Sequence, residues 1–165
     1  MWVTPAPISF WLPREWFKLS MLLRCGTAHR RSTNLRTTKG RIRETSVRAG
    51  FKVLREQNLI TSDYRWANNA DEALRFILTR GPVVIGSKCY PGMGQPTNGV
   101  MRLSGSAGSM GHAYLLFGFS PDQDAFLVAN SWGLTFGIDG CAFLPYDALD
   151  QLIDEGGVVC SAIEE

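Results

Sequence analysis

The chain has 165 residues, 45% hydrophobic and 19% charged, with a formal charge of +2. That length and balance suit one globular domain with a sizeable core. The charge is unevenly placed. Residues 1–43 carry nine Lys/Arg against one acid, a net of +8, whereas residues 44–165 carry eight against fourteen, a net of −6.

Residues 1–23 hold Trp2, Phe10, Trp11, Trp16 and Phe17, but Pro5, Pro7, Pro13, Arg14, Glu15 and Lys18 break every apolar run. A membrane-spanning helix, which needs about 20 apolar residues, is excluded there. The order of charged, apolar and small residues also does not fit a signal peptide, and the compartment stays open. From Arg24 to Arg43 the chain is rich in Arg, Thr and Ser without hydrophobic periodicity. It reads as a disordered, solvated basic segment; a nucleic-acid-binding arm is the less favoured alternative.

Periodic patterning begins near residue 44. Thr45 is the expected N-cap of a helix running to about Asn58, with Val47, Gly50, Phe51 and Leu54 at helical spacing. A second helix is expected from the Asn69 cap to Gly81, with Asp71 and Glu72 in its first turn and Ala70, Leu74, Ile77 and Leu78 on one face. A strand follows near 82–88, then a Gly-rich loop from Tyr90 to Ser109. Further strands are expected near 140–144 and 157–163, flanking a short helix from Tyr146 to Glu155 that buries Leu149, Leu152 and Ile153.

Between them lies a hairpin. Residues 113–119 and 125–129 are apolar and β-prone, and Ser120-Pro121-Asp122-Gln123-Asp124 supplies the turn. Symmetry about Pro121 pairs His112 with Asn130, Tyr114 with Val128 and Leu116 with Phe126. Opposed positions lie about 4.5–5.5 Å apart at Cβ. A two-residue slip keeps His112 and Asn130 on one face, and a one-residue slip separates them. An Asn carbonyl that accepts one imidazole N–H fixes the tautomer and frees the other nitrogen for proton transfer or a thiolate. Trp132 is placed to cover that bond.

Gly111-His112 in an apolar strand, followed by Asn130-Ser131-Trp132-Gly133 and then Phe136-Gly137 and Gly140, resembles the His and Asn segments of papain-like cysteine peptidases. Gly81-Pro82-Val83-Val84-Ile85-Gly86 resembles the strand that opens that family's β-rich half. Thr45-Ser46-Val47-Arg48-Ala49-Gly50 resembles a helix start of its bacterial and phage branch. The resemblance spans about residues 44–163. It implies an α+β papain-like fold, with residues 44–165 as a β-rich C-terminal portion and an incomplete or altered helical half. It also implies cysteine-type peptide hydrolysis, with His112 as acid-base, Asn130 as its orienter and Trp132, Ser131 and Gly133 in support. Gly111 and Met93 border the substrate, and the partner is a peptide or protein, without metal or other cofactor.

The family's nucleophile is a thiolate that opens a helix beside the imidazolium, within a Cys-Gly-Ser-Cys-Trp-like segment preceded by an oxyanion Gln. Here the chain departs from the pattern. Only Cys25 precedes His112 and Asn130; it lacks a following Trp, and no Gln occurs before Gln57. Nearby Arg24, Arg30 and Arg31 would favour its thiolate. Cys89, Cys141 and Cys160 fall in or beside strands and read as small buried hydrophobes. Their spacing matches no zinc site. The expectation is therefore a papain-like peptidase of uncertain competence. The alternatives are an inactive peptide-binding module or a fragment completed by another chain; for residues 1–43 the favoured origin is a misassigned start or a shifted reading frame.

Overall fold

The computed structural model describes residues 47–56, 64–109 and 111–162. The proposed cap Thr45, the helix end at Asn58, Cys25 and the basic segment 1–43 lie outside them.

One six-stranded antiparallel sheet organises the fold, in the order β1-β6-β2-β3-β4-β5. Its strands are β1 (Tyr64–Ala67), β2 (Val83–Lys88), β3 (Gly111–Ser120), β4 (Ala125–Ala129), β5 (Cys141–Pro145) and β6 (Val158–Ala162). Alternation divides the side chains between two cores. Val83, Ile85, Tyr114, Leu116, Phe126, Val128, Leu144 and Val159 face α2 (Ala70–Arg80) and α4 (Tyr146–Asp154). Val84, Leu115, Cys160 and Ala162 face α1 (Val47–Glu56), which buries Val47, Phe51 and Leu54 against them. Helices on both faces make this an α+β fold.

Helix α2 starts where the sequence places it. Asn69 is extended, and its side chain accepts the Glu72 N–H at 2.8 Å. The Ala70 N–H is taken by Asp150 of α4 at 2.7 Å, so a second carboxylate meets the positive end of the helix. Gly81 closes it at φ 102, a left-handed conformation that side chains disfavour. The buried stripe is Ala70, Ala73 and Ile77, with Leu74 at its edge. Leu78, expected on that face, is 72% exposed. At 3.6 residues per turn it is rotated roughly 100° from the stripe, while the alanines let the backbone approach the core closely. In α4, Leu149 and Leu152 are buried and Ile153 packs at the margin.

Two elements were not anticipated. Strand β1 is short and, among the described residues, pairs only with β6. The expected loop 90–109 opens with a one-turn helix, α3 (Pro91–Gly94). The loop then runs beside β5, where the Met101 N–H reaches the Phe143 carbonyl and the Phe143 N–H reaches Gly99, both at 2.8 Å. Tyr90 Oη ties its start to α4 by donating to Glu155, 2.7 Å from both carboxylate oxygens.

The β3–β4 hairpin forms, but in another register. The pairs are Ser120–Ala125, Phe119–Phe126 and Gly118–Leu127 near the turn, then Leu116–Val128 and Leu115–Ala129 beyond an irregularity. Phe117 is the extra residue of a bulge. Near the site the expected pairing is therefore shifted by two residues, because the turn is not centred on Pro121. A 3-10 turn at Pro121–Gln123 and a left-handed Asp124 close it instead.

Candidate active site

His112 stands opposite Ser87 of β2, one pair in from the Gly111–Lys88 end of that ladder. Asn130 lies one step past β4, its N–H bonded to the Gly140 carbonyl at 3.1 Å. The two-residue shift keeps both on one face, diagonally disposed, and His112 Nε2 meets Asn130 Oδ1 at 2.9 Å.

The same Oδ1 accepts the Ser131 backbone N–H at 2.8 Å. An atom that receives a backbone N–H is an oxygen, which fixes the amide orientation. Nε2 must then carry the proton it shares with Oδ1. Nδ1 is left with its lone pair and no hydrogen-bond partner among the described residues. Burial holds the His112 pKa below its ordinary value, and the Asn130 bond opposes that shift only in part. That direction favours the neutral imidazole, with its lone pair at Nδ1.

Aromatic rings fix its plane. Trp132 stacks on His112 with centroids 4.5 Å apart and planes at 24°. It is 42% exposed, so its other face meets solvent. Phe136, buried, holds the Trp132 ring edge-on at 5.3 Å. The turn carrying these residues needs Gly137 at φ 56, where a Cβ would strike the Cys141 carbonyl. Ser131 and Gly133 are exposed; Gly133 accepts the Phe136 N–H at 3.2 Å and so anchors the turn.

Two further residues belong to the site. Tyr114 is buried, stacks on His112 at 5.7 Å and lies 3.4 Å by its hydroxyl from Ser87 Oγ. Alternation along β3 already puts Tyr114 on the His112 face; the Ser87 pairing required the β2 register. Gly111 is exposed at the mouth of β3, opposite Lys88. Met93 is 1% exposed and packs in the core, but α3 does border the site, since a Cβ at Gly94 would lie 3.8 Å from the Trp132 ring.

The described thiols are unlike a nucleophile. Burial raises the pKa of Cys89, pushes Cys141 up to about 11 with help from Asp139, and pushes Cys160 up to about 12. Each rests as the thiol, and none is bonded to His112. Among the described residues no group of three or more His, Cys, Asp or Glu converges as metal ligands, and no helix is long and apolar enough to cross a membrane.

Comparison with known proteins bears on the family of the chain. The profile described as "Papain family cysteine protease" matches residues 30–149. A Caenorhabditis elegans protein, cathepsin B-like cysteine proteinase 5, is 28% identical over 112 residues, covering 67% of this chain and 31% of the relative. The crystal structure of xylellain, a cysteine protease from Xylella fastidiosa, superposes with a TM-score of 0.52 at 22% identity, over 74% of this chain and 47% of that one. The chain thus spans less than half the length of either relative. With most of its length matched by that profile and its sheet carrying the same architecture, the chain belongs to the papain family of cysteine proteases.

Proposed function

We propose that the chain serves cysteine-type peptide hydrolysis, with His112 as acid-base, Asn130 as its orienter and Trp132 as its cover. The observation that carries this is the doubly anchored Asn130 Oδ1, which fixes Nε2–H and leaves Nδ1 as the base. In the reaction Nδ1 takes the proton of a thiol and the thiolate adds to the peptide carbonyl carbon. The imidazolium then protonates the leaving amine, and water cleaves the resulting thioester. The substrate is a peptide or protein. The proposed nucleophile is Cys25, the one cysteine of this sequence that precedes His112 and Asn130, and a nucleophile outside this chain is the rival assignment. The likeness of Thr45-Ser46-Val47-Arg48-Ala49-Gly50 to a helix start of the bacterial and phage branch supports that assignment, with residues 44–165 as the peptidase portion and 1–43 as a separate basic segment.

A second reading, an inactive binding module or a fragment completed by another chain, is favoured in its fragment form by one fact. Asn130 Nδ2 is buried with no acceptor among the described residues, as expected where another segment or chain completes the wall.

The reduced protein is incubated with an iodoacetamide probe from pH 4 to 9, and adducts are located by peptide mass mapping in wild type and His112→Ala. Labelling of Cys25 below the ordinary thiol pKa, lost in the variant, supports the peptidase reading. Labelling that follows exposure alone and ignores His112 favours the binding module.

A further inference from the structure

The sheet ends in β1, which pairs with β6 on one side and with no strand among the described residues on the other. Beside that open edge lies a groove of about 400 Å³ lined by Arg65, Trp66, Glu72, Arg75, Phe76 and Arg80, with Asn68 at its end. Arg65, Arg75 and Arg80 are exposed. The guanidinium groups of Arg65 and Arg75 make no ion pair or hydrogen bond among the described residues. Arg80 lies over the Phe76 ring at 5.3 Å, and Arg48 approaches the same edge over Trp66 at 5.6 Å. The single carboxylate in the groove is already engaged. Glu72 Oε2 accepts the Asn68 N–H at 2.8 Å and its Nδ2 at 3.0 Å.

The concentration is unusual for this part of the chain. Residues 44–165 carry a net −6 with eight basic residues, and four of those eight (Arg48, Arg65, Arg75 and Arg80) surround this edge. We propose that the groove beside β1 is a docking site for an extended acidic peptide, which adds to the β1 edge and sets its carboxylates against Arg65, Arg75 and Arg80. The free edge offers main-chain donors and acceptors at the repeat of a strand, and the arginines supply the selection. A strand presents alternate side chains to one side, so acidic residues at every second position meet the Arg face while apolar ones reach Trp66.

The other occupants fit less well. The chain's own segment 1–43, at +8, is repelled by the arginines. A nucleic acid needs a basic stripe that tracks its backbone, whereas this cluster is local, with Asp71 adjoining it and an acidic domain around it. The site is three strand spacings, about 14 Å, from β3 and His112. It is independent of the peptidase reading, because its test measures binding alone.

Full-length protein is titrated at low salt against a short fluorescent peptide of alternating Glu and Val, read by anisotropy. The expected result is saturable binding that weakens about tenfold or more in Arg75→Ala/Arg80→Ala, whose exposed positions leave the fold intact. Methylating the peptide nitrogens along one edge is expected to weaken it comparably. Affinity unchanged in the double variant would assign binding to the basic segment 1–43 and overturn the proposal. So would indifference to N-methylation, or an oligothymidylate binding with the same dependence on Arg75 and Arg80.

Discussion

His112 and Asn130 share a face of the sheet because Phe117 is an extra residue in β3. The register at the turn, Ser120–Ala125, would if continued set Asn130 opposite Leu115, on the far face. Past the bulge the register moves by one, Leu115 pairs with Ala129, and Asn130 comes opposite Tyr114, diagonal to His112. Deleting Phe117 is therefore expected to regularise the ladder with every pair retained and the His112–Asn130 bond intact. The loss is the Phe117 packing on the second core, about 2 kcal/mol. Deleting Ala113 turns His112 to the other face and removes the bond. The Nε2–H resonance of His112 distinguishes the two: present in the first variant, absent in the second.

Substitution at position 130 moves the imidazole pKa in opposite directions. The Asn130 bond raises it against the lowering by burial. Asn130→Ala should lower it further, and Asn130→Asp should raise it, since a carboxylate favours the imidazolium. Ring nitrogen shifts followed through a pH titration report both.

Acidification should weaken the fold in two separate windows. The folded pKa of His112 lies below 6.5, so the unfolded chain binds more protons between the two values. Stability is fully present above about pH 6.5 and declines as pH falls through the folded value; His112→Ala lacks this slope. Glu155 is also lowered, from 4.5, first by the Tyr90 hydrogen bond. Its contribution is present above pH 4.5 and is lost below, and Tyr90→Phe should narrow that lower window while the Gln151 hydrogen bond keeps part of it. Denaturant unfolding at a series of pH values resolves the two.

The first core depends on Phe126, fully buried and in ring contact with Phe119 at 5.2 Å and Tyr146 at 5.8 Å. Phe126→Ala is expected to destabilise by about 3–5 kcal/mol, and Leu78→Ala, at an exposed helical position, by less than about 0.5 kcal/mol. Urea midpoints check the contrast.

What the sequence makes legible follows from local chemistry. Asn69, Gly81 and the turn at Pro121 mark their element ends through their own side chains and dihedral preferences, and the His112 and Asn130 faces follow from alternation. The bulge is invisible because Phe117 is as apolar as its neighbours and is distinguished only by its partner strand. Strand β1 escapes for a related reason, since four residues give too little alternation and its partner β6 is nearly a hundred positions away. Leu78 misleads because the stripe is narrowed by Ala70 and Ala73, whose small size is itself the packing feature. The register of Ser87 beneath Tyr114 depends on a third strand and has no local sign.

Three side-chain bonds between distant parts of the chain have a mechanical consequence. Asp150 holds the start of α2 at Ala70, Tyr146 Oη donates to Asp71 at 2.6 Å, and Glu155 at the end of α4 receives Tyr90 just before α3. Helix α4 is thus a strut joining the arginine-bearing helix to the turn beside Trp132. Loosening any one of these parts breaks a charge-assisted bond that ties it to the next, so their amides should exchange with solvent as one cooperative unit, and slackening at either end should be felt at the other.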